Sequence, residues 1–166
     1  MKYFVCLCSY VIEFTVCSLC GWLFEESLEL LVYHAYADRG ILHLPLLPIY
    51  GFFGLILTAL FRQKYSAAAV FCISTLVTTA LEMASSYLLE RMGYVLWDYS
   101  AWILNYEGRI SLLSSLIFGA MSVLLVKCVH PLMRRMEHDA PHWVTCGLGS
   151  VLGLMLLGDA VWTFLL

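Results

Sequence analysis

The chain has 166 residues, of which 62% are hydrophobic and only 13% charged, with a formal net charge of -3 and a mean hydropathy of +0.86. Soluble domains carry about 25% charged residues, so a water-facing coat is excluded, whereas lipid accepts an apolar exterior. No basic run suited to a phosphate backbone occurs, which excludes a nucleic-acid partner.

A membrane-spanning helix needs roughly 20 mostly apolar residues. Five stretches qualify, predicting an all-α polytopic membrane bundle with structured outer loops, formed as a single integral domain over 1–166. The helices are expected at about 3–32, 45–61, 66–92, 110–129 and 143–166. Lys2 ahead of an apolar run imitates a signal peptide. Glu13 interrupts that run and no small-residue cleavage site follows, so it reads as a retained first span.

The first helix carries Glu13, Glu25, Glu26 and Glu29. Ser18, Gly21, Trp22, Glu25 and Glu29 share a face at about 100° per residue, and Glu26 is expected to reach headgroups instead. Glu13 falls about 15 Å in from Lys2, where a carboxylate must face the bundle interior. Cys17-x-x-Cys20 has the spacing of a redox or zinc pair, but it sits in an apolar helix without a second pair or a nearby histidine. The seven cysteines therefore read as packing residues.

His43-Leu44-Pro45-Leu46-Leu47-Pro48-Ile49-Tyr50-Gly51 opens the short second helix. Proline suits a helix start, where its missing N–H is unpaired anyway, and Gly51 and Gly54 permit close approach. The third helix has a polar stripe, Thr75, Thr78, Thr79, Glu82, Ser85 and Ser86, that must face partner helices or a cavity. The fourth shows Ser111, Ser115, Gly119 and Ser122 on one face, and the fifth Gly149-x-x-x-Gly153, both packing patterns.

The connections differ in kind. Links 62–65 and 130–142 read as plain polar turns, whereas 33–44 and 93–109 mix charge, aromatics, glycine and asparagine. Loops of that mixture fold against or bind something. Lys2, Arg62, Lys64, Lys127, Arg134 and Arg135 fall on one side, against Arg39, Arg91 and Arg109 on the other. The positive-inside rule then predicts a cytoplasmic N-terminus and an outside C-terminus.

By helix rise, Glu25, Glu82 and Asp159 are expected to converge toward the outer end of the bundle. Arg39 and Arg109 are the natural cations; the pairs Glu25–Arg39 and Glu82–Arg109 stay open, and such a network can be structural or can form a site. Trp97-Asp98-Tyr99-Ser100 with Asn105 and Arg109 forms the second outer segment, its aromatics suited to the membrane interface. Phosphate-loop, zinc-helix and serine-elbow motifs are missing, so an enzyme is not expected, nor is a metal or cofactor.

At these segments the chain resembles a bacterial membrane family of ABC-transporter type IV, or CmpB-like, proteins. The resemblance rests on Gly21-Trp22 with Glu25, on Arg39-Gly40-Ile41-Leu42 through Pro45 to Pro48-Ile49-Tyr50-Gly51, and on Leu81-Glu82 with Ser85-Ser86 and Glu90. It continues through Trp97-Asp98-Tyr99-Ser100, Asn105, Gly108-Arg109-Ile110 and Phe118-Gly119, over about residues 18–131, and departs at Leu44 and Met83. It implies a multi-pass protein of the bacterial cell membrane, with a separate ATPase subunit to supply energy.

The expected function is a permease or substrate-binding subunit recognising a polar or amphiphilic solute in an outer charged pocket. Glu25, Arg39, Tyr50, Glu82, Trp97, Asp98, Tyr99, Asn105 and Arg109 would line it. The alternatives are an intramembrane enzyme acting on a lipid or envelope precursor, and a structural or regulatory membrane partner. Five helices enclose little space, so lipid contact and a homo-oligomer or partner subunit are expected.

Overall fold

The computed structural model describes residues 2–34, 40–61 and 65–165. Arg39, Arg62 and Lys64, invoked above for the site and the orientation, lie outside the described residues. The elements in order are α1 (Lys2–Tyr33), α2 (Pro48–Leu60), α3 (Ala67–Arg91), β1 (Asn105–Tyr106), β2 (Ile110–Ser111), α4 (Leu112–Leu124), a π-helical turn (Leu125–Val129), α5 (His130–Asp139) and α6 (His142–Leu165). Four stretches are long and apolar enough to cross a membrane: Tyr3–Leu31, Ala67–Arg91, Leu112–Asp139 and His142–Leu165. With the shorter apolar α2 they make a helical membrane bundle.

Two expected boundaries move. α2 begins at Pro48, not near 45, because the second proline disfavours helical geometry at Leu47 and so takes the first helical position itself. Its 13 residues rise about 20 Å, short of a ~30 Å hydrocarbon core. The fourth span does not end at Val129 in a polar turn but runs on to Asp139. Pro131 lacks an N–H, and an α-helix would strain there. The preceding turn widens, with the His130 N–H reaching back to Leu125 O, and the helix continues past the proline.

The chain forms two compact units, residues 1–55 with 132–166 and residues 56–131. In the first, α6 lies along α1. Gly149 meets Cys8 so closely that a Cβ would collide with its backbone, and Gly153 faces Val11. α2 enters beside α1, where Gly21 accepts the Tyr50 ring and Gly51 sits against Ser18 and Phe14. Glu13 is 2% exposed and its Oε2 lies 3.5 Å from Arg134 Nη2, while Arg134 Nη1 also donates to Glu137 at 3.0 Å. A carboxylate deep in a span needs such a partner. Here it comes from a stretch expected to be only a polar link. Glu26 is buried together with Glu29 and does not project to headgroups as expected.

In the second unit α3 and α4 pack through the small and hydroxyl faces read from sequence. Ser74, Thr78 and Glu82 of α3 and Ser114, Ser115, Gly119 and Ser122 of α4 are buried. Gly119 admits Phe71 and Thr75, and Thr79 Oγ1 donates to Ser115 Oγ at 2.8 Å. Most other hydroxyls return to their own helix, as Thr78 Oγ1 does to Ser74 O at 2.7 Å, so they can be buried without a partner helix. Leu57, Phe61 and Val70 form the apolar core of this unit.

Candidate functional site

The outer segment of the second unit is built by its turns. α3 stops where Gly93 takes φ +87°. The Gly93 N–H then donates to Glu90 O at 3.0 Å and the Tyr94 N–H to Leu89 O at 2.9 Å, the paired bonds of a Schellman stop. Eleven residues on, β1 and β2 pair antiparallel, Asn105 with Ser111 and Tyr106 with Ile110. The turn between them needs φ of 52° at Glu107 and 68° at Gly108, and the Arg109 N–H closes it on Tyr106 O at 2.9 Å. At Gly108 a Cβ would strike Asp98 and Ser100, so glycine is required by space as well as by backbone.

Ser111 ends β2 and caps α4 in a reciprocal box: the Ser114 N–H donates to Ser111 Oγ at 3.0 Å and the Ser111 N–H to Ser114 Oγ at 3.1 Å. Asn105 ties the loop, donating to Ser100 O at 3.2 Å and Trp102 O at 2.8 Å while accepting from Gly108 N at 3.1 Å. Asp98 Oδ1 accepts from Ser100 N at 2.8 Å and Ser100 Oγ at 2.5 Å. These bonds favour the ionised form and hold the Asp98 carboxyl below its ordinary range.

Arg109 is the hub. Its Nη2 donates to Glu90 Oε2 at 2.5 Å, Nη1 to Ser86 Oγ at 2.9 Å and Nε to Glu107 Oε2 at 3.4 Å. The guanidinium carbon stands 4.1 Å above the Tyr87 ring, and Tyr87 OH donates to Glu107 Oε2 at 2.9 Å. The Glu90 hydrogen bond raises the Arg109 pKa further above its already high value. Trp97 Nε1 donates to Arg109 O at 2.9 Å and fixes the indole. Between the end of α3 and this loop lies a cavity of about 210 Å³, with Glu90, Tyr94, Trp97, Asp98, Glu107 and Arg109 in its wall.

Among the residues named from sequence, Trp97, Asp98 and Arg109 line this cavity. Glu82, 2% exposed, accepts from Tyr99 OH at 2.8 Å and from Ser114 Oγ at 3.5 Å. Tyr99 thus reaches a buried carboxylate and is more than an interfacial aromatic. Arg109 takes Glu90 and Glu107, not Glu82. Sequence reasoning missed Glu107 and Tyr94, and noted Glu90 only for its family resemblance. The available signal was Ser86, Tyr87 and Glu90, one turn apart at the helix end, ahead of a loop with a single arginine.

In the first unit, Tyr50 OH donates to Glu25 Oε1 at 2.5 Å. Asp159 accepts from the backbone of His43 at 3.2 Å and of Leu44 at 2.9 Å, and its Oδ1 lies 3.2 Å from His43 Nδ1. It secures the chain ahead of α2. No group of three or more histidine, cysteine, aspartate or glutamate side chains arranged to hold a metal occurs among the described residues.

The sequence matches the family model described as "Putative ABC-transporter type IV" over residues 12–164, wider than the stretch that carries the motifs. Neither the curated proteins nor the solved structures contain a match to the chain. With nearly its whole length covered by that model, the chain belongs to the family so described.

Proposed function

We propose that this chain is a permease or solute-binding membrane subunit of an ABC-type transporter, which takes a small polar or amphiphilic solute at the cavity formed by the end of α3 and residues 94–109. The observation that carries this reading is the construction of that cavity. Three separate turn devices, the Schellman stop, the Asp98 turn and the positive-φ hairpin, converge to hold polar and aromatic side chains around a space of about 210 Å³. Concave sites with a few fixed polar groups are the usual form of small-ligand pockets.

The chain lacks a phosphate-loop motif, so a separate ATPase subunit would drive transport. The orientation proposed is N-terminus in and C-terminus out, in a bacterial cell membrane. It rests on the basic residues Lys2, Arg62, Lys64, Lys127 and Arg135 falling on one side in sequence.

The test is ATP-dependent accumulation of a panel of labelled amines, amino acids and sugar phosphates in vesicles containing the chain and its ATPase partner. Trp97→Ala combined with Asp98→Asn should lower uptake at least about tenfold, the effect of losing ~1.4 kcal/mol of binding, with helical circular dichroism unchanged. Uptake that survives the double variant would overturn the reading. Arg109→Lys is a poor probe of transport, since losing the planar fork would open the loop itself.

A further inference from the structure

Resting on the reading above, we infer that the solute is a small organic cation, an amine or quaternary ammonium compound, held by Asp98 and the outer carboxylates against the Trp97 and Tyr94 rings. The geometry disfavours an anionic group at Arg109. Each of the three guanidinium nitrogens already donates to the protein, to Glu90, Ser86 and Glu107, and one face is covered by the Tyr87 ring. Three of the five guanidinium N–H groups are thus used, and an incoming carboxylate or phosphate would reach the other two only beside Glu90 and Glu107, whose charge repels it.

Among the described residues of the wall, the charge left over is negative. The cavity wall carries three carboxylates, Glu90, Asp98 and Glu107, against the single Arg109, a formal surplus of two negative charges. Among the described residues Asp98 has no cation partner. Its Oδ1 is taken by Ser100 hydroxyl and amide donors, which keep it ionised.

The wall is also aromatic in a defined way. The Schellman stop places Tyr94, and the indole of Trp97 is pinned through Nε1 to Arg109 O. Cations within about 6 Å of a Trp or Tyr face are attracted by the ring quadrupole, and such rings recognise quaternary ammonium groups. A volume of about 210 Å³ lies below the roughly 300–1,000 Å³ of drug-sized pockets, which suits a compact group.

The experiment uses the full chain in lipid nanodiscs, reading tryptophan fluorescence on titration with choline, tetramethylammonium and ethylammonium, and in parallel with acetate and inorganic phosphate at matched ionic strength. Trp97→Phe locates the signal. Expected are saturable quenching by the cations, lost in Trp97→Phe, and no response to the anions. Asp98→Asn keeps the acceptor oxygen that Ser100 needs while removing the charge, and should weaken cation binding about twofold to fivefold, the range of an exposed ion pair. Saturable quenching by phosphate or acetate with none by the cations would overturn the cation assignment and leave the cavity standing as a solute site. Cation affinity unchanged in Asp98→Asn would overturn it as well. A response to neither sign, together with uptake that survives the Trp97 and Asp98 double variant, would remove the solute-site reading itself.

Discussion

Two loops of this protein are secured in opposite ways. Residues 40–47 of the first unit borrow their anchor from a distant helix: Asp159 of α6 receives the backbone N–H groups of His43 and Leu44 and sits beside the His43 ring. The His43 Nδ1 also lies 3.1 Å from Thr163 Oγ1. Residues 94–109 of the second unit largely hold themselves, through Asp98, Asn105, the hairpin turn and the Arg109 hub. In the first case a carboxylate is consumed in satisfying backbone donors. In the second, self-sufficiency leaves a cavity with carboxylates to spare. Counting acidic residues near one end of a bundle therefore does not distinguish an anchor from a site; the identity of the donors does.

The comparison breaks most visibly at Asp159. Its side chain is only 8% exposed, and Asp159→Ala strands two backbone donors. Hydrogen bonds to charged groups contribute about 1.5–3 kcal/mol each, so a loss of about 3 kcal/mol is expected, with the segment opening locally. Thermal unfolding in detergent should show a large downward shift, and limited proteolysis should find a new cut within 40–47. Asp159→Asn, which retains one acceptor, should fall between. A wild-type melt for Asp159→Ala would mean that the loop is secured by something other than this carboxylate.

A smaller effect sharpens the other side. Ser111 joins the self-held loop to α4 by its cap. Ser111→Ala should cost about 1 kcal/mol, the typical worth of an N-cap, and lower the same melting transition by correspondingly less than Asp159→Ala. If it destabilises more than Asp159→Ala, the loop 94–109 depends on α4 far more than its internal bonds imply.

Much of the bundle was legible because periodicity is a local signal. The α3 stripe around Thr78 and Glu82, the α4 face of Ser115, Gly119 and Ser122, and Gly149 against Cys8 all lie on packed faces, as spacing indicated. What failed was non-local or depended on a local exception. Pro131 reads as a helix breaker, and only the π turn before it carries the span on to Asp139. Glu13 was recognised as needing a partner, but Arg134 is 121 positions away, and no pattern in sequence joins them. Glu26 falls within the buried face once the wide contact area of α1 is known. At the site, Trp97, Asp98 and Arg109, named together from sequence, line one cavity. The pairing of Arg109 stayed open in sequence, because choosing among the acidic residues of α3 requires knowing which turn the hairpin overhangs. That is set by the positive φ at Glu107 and Gly108, and only the glycine announces itself in sequence.

The smallest expected effect is in pH, and it separates the two kinds of carboxylate most cleanly. Asp98 is titrated in its turn from below the ordinary value of 3.8, because Ser100 donates to the charged form through its hydroxyl and its amide. The sign follows from linkage: a carboxyl whose folded pKa is depressed contributes stability that is fully present above its unfolded pKa and is lost as pH falls through the folded one. The tryptophan fluorescence of the loop should therefore stay constant from neutral pH down to about 4, the ordinary carboxylate range, and change only below it. The informative quantity is the difference between wild type and Asp98→Asn, whose side chain keeps the turn but cannot ionise. That difference should hold constant through the neutral range and collapse only on the acid side of the usual carboxylate value, where the wild-type carboxyl is neutral too. A collapse centred above it would mean that the surplus negative charge of the cavity outweighs the Ser100 bonds at Asp98, and that a cation would have to bind before that carboxylate is fully ionised.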